Sequence, residues 1–277
     1  MARKSVRFLL CCLLSSPLSA AAGEDDWMHL PGTAQFSTVL RYDEPTPSGR
    51  DAAGATSGQV SVAPFALQRT PVSNADFLAF VVRHPQWRRG AVATVFAEPR
   101  YLSHWSGPLS LGPDALPQQP VVQVSWFAAQ AFCEAQGARL PTWTEWEYAA
   151  AADATRADAR ADPAWRERIL AWYSRPSSAP LAEVGQGVAD VHGVQDLHGL
   201  VWEWVEDYAA MLVSGDNREQ GDADLLRFCG AGALSTNDRE NYAVLMRIAM
   251  LSALEAADTT VNLGFRCARD RAPGAAP

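Results

Sequence analysis

Hydrophobic residues fall along this chain in three kinds of pattern. Near the start, Phe8 to Ala22 runs about 15 residues without a charge, behind a head that carries Arg3, Lys4 and Arg7. Farther on, Gln59-Val60-Ser61-Val62-Ala63-Pro64-Phe65 alternates with a period of two. That is the signature of a strand with one face buried, and Trp27 to Thr70 reads as short strands and turns. Helical spacing then takes over. Ser73 with Asp76 three residues on opens a helix whose Phe77, Phe80 and Val81 share a face, and Pro85 ends it.

The most regular stretch is Val121 to Tyr148. Val121, Val122 and Val124 predict a short buried strand. Ser125 caps a helix through Gln136, with Gly137 in the terminating position, and Thr142 with Glu145 forms a capping box for a second helix. Ala150 to Asp162 mixes Ala, Arg and Asp and reads as a solvated helix or a surface loop. The last third carries weak signals for any regular structure, and residues 271–277 read as a flexible tail.

A basic head, a short apolar run and small residues at Ser19 to Ala22 form the pattern of a secretory signal over residues 1–22. The run is short for a bilayer span, which makes an uncleaved anchor the weaker alternative. A periplasmic or secreted chain with no membrane span after cleavage is the expectation. Cleavage removes three positive charges and no acid, so the formal charge of −8 becomes −11. Such a surface repels phosphate backbones and argues against nucleic-acid binding. Ten tryptophans among 18 prolines and 19 glycines point to a loop-rich fold on aromatic anchors. Outside the leader only Cys133, Cys229 and Cys267 remain, enough for one bridge and one leftover thiol, with three pairings open.

Three segments occur in an order that is informative as a set. The first runs Val124-Ser125-Trp126, Ala131-Phe132-Cys133, Gly137 to Thr142 and Glu145 to Ala150. The second is Asp196-Leu197-His198-Gly199-Leu200-Val201-Trp202-Glu203-Trp204, and the third Asn262-Leu263-Gly264-Phe265-Arg266-Cys267. Together they resemble the formylglycine-generating enzyme (sulfatase-modifying factor) family from about Trp27 to Arg269. The likeness is to a divergent, NirV-type branch found alongside copper nitrite reductases. It implies a single irregular α+β domain, related to C-type lectins and poor in regular secondary structure, over residues 23–270.

The resemblance also implies chemistry, and a departure from it. Family members use a C-x4-C pair that binds copper(I) and oxidises a substrate cysteine to formylglycine; soft thiolates suit that ion. The matching positions here are Asp238 and Ala243, so copper is not expected. The family bridge matches Cys133 and Cys267, whereas a second family bridge falls on Ala150 and Ile248. Asp196, Gly199, Val201 and Glu203 match a structural calcium loop, an all-oxygen set of two carboxylates and two carbonyls. The same residues also read as a tight turn with an exposed Asp and a buried, hydrogen-bonded Glu.

Cys229, Asp238, Arg239, Glu240, Tyr242 and Trp202 are the candidate cleft residues. Cys229 reads either as a small packed residue or as a redox or metal thiol, and Asn237 to Tyr242 either as a rebuilt pocket or as an exposed loop. His29, His84, His104, His192 and His198 show no ligand spacing and read as surface or satisfied core residues. Two functions follow: a monomeric accessory or maturation protein that binds a segment of an exported protein or peptide, or an oxidoreductase with altered chemistry.

Overall fold

Strand-forming and helix-forming patterns resolve into short pieces in the computed structural model, which describes residues 24–38, 59–174, 180–210 and 242–271. The alternating stretch divides at Ala63-Pro64 into β3 (Gln59–Val62) and β4 (Phe65–Gln68). Proline has no N–H for a ladder. β3 pairs with β2 (Thr33–Ser37) through a register shift between Thr33 and Phe36. β4 is buried along its whole length because both its edges are covered, by β1 (Trp27–Leu30) and by β7 (Ala268–Asp270). Both pairings are antiparallel, with Leu30 opposite Phe65 and Leu67 opposite Ala268. Two ends of the described chain thus meet on one central strand.

Three helices are stacked on aromatic side chains. α1 (Asn74–Arg83) starts at Ser73, whose hydroxyl accepts from the Asp76 N–H while Asp76 returns the bond. α2 (Trp126–Glu134) is capped by Ser125, and α3 (Trp143–Ala150) by the Thr142–Glu145 box. Each cap satisfies backbone N–H groups that a helix start leaves without partners. Phe77 of α1 stacks on Phe132 of α2 with centroids 5.7 Å apart, and Phe265 closes the cluster edge-on to both.

Two helices lie where the sequence offered weaker signals. α4 (Pro163–Tyr173) begins at an Asp162 N-cap followed by proline, and α5 (Tyr242–Ser252) lies in the last third. The strand expected at Val121 to Val124 does not form. Gln123 takes a left-handed φ of 53°, so the segment bonds in two directions, Val121 to the Val72 carbonyl and Gln123 to that of Thr260. Its valines are buried all the same. Residues 151–162 form a loop in which Arg156 bridges Asp153 and Asp162 while Ala151, Ala152 and Ala159 are buried. Mixed short strands and helices joined by long loops make this an α+β fold with irregular structure. Among the described residues no helix is long and apolar enough to cross a membrane.

The β5 (Trp202–Glu203) and β6 (Leu263–Gly264) strands run parallel and set Glu203 opposite Gly264. Glycine is required at that point, since a Cβ there would lie 2.6 Å from the Val121 carbonyl oxygen. Just beyond β6, Cys267 is bridged to Cys133 of α2, with Cα atoms 5.5 Å apart and both residues fully buried. The bridge spans 134 residues of sequence, so it removes much loop entropy from the unfolded chain. Cys133→Ser is therefore expected to cost about 2–5 kcal/mol, measured as a lower urea midpoint. Dithiothreitol should reduce the bond only under conditions that unfold the protein.

Candidate functional site

A pair of fully buried charges organises the region where the motif segments meet. Glu203 and Arg266 are both shielded from solvent. Arg266 approaches the carboxylate through Nε, 3.1 Å from Oε1 and 3.0 Å from Oε2, and through Nη2, 2.8 Å from Oε1. Its remaining N–H groups go to backbone carbonyls: Nη1 to Gln68 and Arg69 at 3.1 and 3.0 Å, and Nη2 to Gln195 at 2.9 Å. A guanidinium offers five N–H donors and no acceptor, and here every nitrogen has a partner. Trp146 Nε1 donates to Glu203 Oε2 at 2.9 Å and completes the carboxylate.

Aromatic rings wall this pair. Buried Arg247 of α5 lies over the Trp146 ring at 3.5 Å and donates to the Glu203 carbonyl. His198 meets the edges of both Trp146 and Trp165, with centroids 5.7 and 5.6 Å away. Its Nε2 is 2.8 Å from the Ala150 carbonyl, which can only accept, so Nε2 carries the proton. Burial, with Arg247 and Arg266 adding to it, pushes the His198 pKa down to about 4, and the ring is neutral at pH 7. A second buried carboxylate, Glu147 of α3, accepts from Thr38 Oγ1 and Trp143 Nε1.

These bonds decide what the four calcium candidates can do. Asp196 sits at a left-handed φ of 62° and takes the backbone N–H of Gly185 on Oδ2 and of Gly187 on Oδ1. Glu203 has Arg266 as its counter-ion. Gly199 turns at φ 106°, and Val201 is buried. A calcium ion needs six to eight oxygens with lone pairs turned toward it. Here the carboxylate lone pairs face N–H donors, and one of them faces a guanidinium. The set does not fit a calcium shell. It has the geometry of the turn reading, with Asp196 half-buried where that reading expects an exposed side chain.

Of the cleft candidates, Trp202 is half-buried with its ring 5.6 Å from Trp172, and Tyr242 begins α5. Cys229, Asp238, Arg239 and Glu240 lie outside the described residues. Ala150 and Ile248, where the resemblance implied a second bridge, are both buried apolar residues.

The sequence reading missed a cleft of about 570 Å³ that α4 forms with residues 187–199. Its Trp165, Ile169 and Trp172 recur at i, i+4 and i+7 after an Asp-Pro helix start, a signal that was present and helical. Arg247 was missed as well. A lone arginine in an apolar run is read from sequence as snorkelling, and only the fold shows it stacked on Trp146.

Removing one partner of the buried pair leaves a charge without compensation. Glu203→Gln should cost about 3–5 kcal/mol by chemical denaturation, while excess EDTA leaves the wild-type melting temperature unchanged. Loss of stability on chelation would reverse the reading of these donors. His198 adds a pH dependence. Its folded pKa, about 4, lies below the ordinary 6.5, so between those values the unfolded state binds more protons. Stability then falls as pH drops through that window, and His198→Gln should remove that part of the slope.

Comparison with known proteins gives the family. The description Sulfatase-modifying factor enzyme 1-like domain matches residues 25–271. The chain is 30% identical to the formylglycine-generating enzyme of Streptomyces coelicolor over 93% of its own length and 96% of that protein. It is 31% identical to the inactive C-alpha-formylglycine-generating enzyme 2 of Mus musculus, over 94% and 91%. Among solved structures, PvdO from Pseudomonas aeruginosa aligns with a TM-score of 0.44 at 18% identity, covering 88% of this chain and 94% of that one. With a match from residue 25 to residue 271, this chain belongs to the formylglycine-generating enzyme (sulfatase-modifying factor) family.

Proposed function

We propose that this chain is an exported accessory or maturation protein, which binds a segment of an exported protein or peptide and does not make formylglycine by the copper–thiolate route. One observation carries the reading: the cysteine inventory. Five cysteines are present. Cys133 and Cys267 are consumed in a bridge, and Cys11 and Cys12 fall in the leader. Cys229 is the remaining thiol, whereas a copper(I) dithiolate needs two soft sulfur ligands at one point. At the family's copper positions stand Asp238 and Ala243, a hard oxygen donor and a hydrocarbon.

Overall identity does not separate the outcomes. Relatives about equally similar to this chain are named as a formylglycine-generating enzyme and as an inactive one, so the ligand set has to decide. Export rests on the pattern of residues 1–22. Through the likeness to the NirV-type branch, the partner class of first interest is a copper nitrite reductase system.

The test is direct. Protein incubated with a cysteine-containing peptide and copper(I) should consume no oxygen above the peptide blank and give no formylglycine mass change. Copper should elute from gel filtration well below one equivalent. Stoichiometric copper(I) retention, or turnover, overturns the reading; turnover lost in Cys229→Ser would replace it with the altered oxidoreductase. Capture of one exported partner, undiminished by Cys229→Ser, is the positive result.

A further inference from the structure

The cleft beside α4 plays no part in the function proposed above. At about 570 Å³ it is within the range of small-molecule sites. Two half-buried indoles, Trp165 and Trp172, line it from α4, two helical turns or about 10 Å apart along the axis. Ile169 lies between them on the same helix face. Val188 joins the lining from outside the helix, with 84% of its surface exposed. Each indole touches a ring from another segment. Trp165 meets His198 edge-on with centroids 5.6 Å apart, and Trp172 meets Trp202 at 5.6 Å. Walls held in this way are ordered before anything binds, which lowers the cost of binding.

The carboxylates of the lining offer an occupant nothing. Asp153 is held by Thr155 and Arg156, and Asp196 by the backbone N–H groups of Gly185 and Gly187. Asp190 accepts the N–H groups of His192 and Val194 on Oδ1. Its Oδ2 and the Nδ1 of His198 are buried, beyond the reach of anything in the cleft. Arg168 is exposed, so its charge is screened by solvent. A charged occupant would therefore give up water and find no unengaged counter-charge inside the cleft. A flat apolar body, in contrast, covers indole and valine surface that now faces water. Ring-to-ring contact with the indoles favours an aromatic body over an aliphatic one of equal area.

We propose that this cleft binds a small uncharged aromatic molecule, its ring lying against Trp165 and Trp172 and covering Val188. Affinity then comes from apolar burial, with no contribution from ion pairing. The assignment is independent of copper chemistry and of any protein partner.

Titration calorimetry on the full chain at pH 7 tests it, with indole as probe and tryptamine, which adds an ammonium arm, as its charged counterpart. Indole should bind saturably at one site, and its binding enthalpy should become more favourable on warming, the mark of apolar burial. Its affinity should not fall between about 0.05 M and about 0.5 M sodium chloride, a range over which screening weakens charge pairing. Tryptamine should bind no more tightly than indole. Trp172→Ala removes one wall and should weaken indole at least about tenfold. Val188→Asp alters only an exposed side chain and should weaken it several-fold, which keeps the test available if Trp172→Ala fails to fold. Absence of saturable indole binding overturns the proposal. So does tighter, salt-sensitive binding of tryptamine, or an unchanged constant in either folded variant.

Discussion

A carboxylate and a guanidinium removed together from water impose the main constraint on this fold. Burying either alone costs several kcal/mol, and mutual attraction compensates only when every remaining donor and acceptor is also met. Arg266 meets that condition by reaching the carbonyls of Gln68, Arg69 and Gln195 as well as Glu203. Glu203 meets it by adding the Trp146 indole. Satisfying one charge pair therefore fixes the end of β4, the turn at residue 195, the α3 helix and the β5–β6 ladder relative to one another.

That requirement matters because regular structure does little of the joining here. The largest sheet among the described residues has three strands, and the others have two. Tryptophan takes up the role. Trp105, Trp143, Trp146 and Trp204 are all essentially buried, and each indole N–H finds an acceptor: Asn74, Glu147, Glu203 and the Val124 carbonyl respectively. A large ring with one polar handle can fill a core and pin a loop at once. The Cys133–Cys267 bridge then ties α2 to the strand that completes the main sheet. Helix caps, indole bonds, ion pair and disulfide all serve to hold irregular backbone in one arrangement.

The same arrangement separates two regions with different chemical capacities. Around Glu203 both carboxylate oxygens are committed to Arg266 and Trp146, and every Arg266 nitrogen has a partner. Beside α4, Asp190 Oδ2 and His198 Nδ1 are buried with no hydrogen-bond partner among the described residues. His198 borders both regions. One nitrogen is tied to the Ala150 carbonyl, and the other has no hydrogen-bond partner among the described residues.

Local patterning determined the capped helix starts at Ser73, Ser125 and Thr142, because a cap is a contact between residues three apart. It determined the short strands before residue 70, and through the ordered motifs it pointed to the family. Composition fixed the thiol inventory, which no fold can enlarge. Tertiary structure alone decided the rest. Valines 121, 122 and 124 are buried without becoming a strand, since Gln123 turns the chain to reach two partners. Asp196 and Glu203 look like cation ligands when read in line. Which donors face their oxygens depends on Gly185, Gly187, Trp146 and Arg266, residues brought in from 9 to 63 positions away. Spacing along a chain names the atoms available, and only the packed structure says what those atoms are already holding.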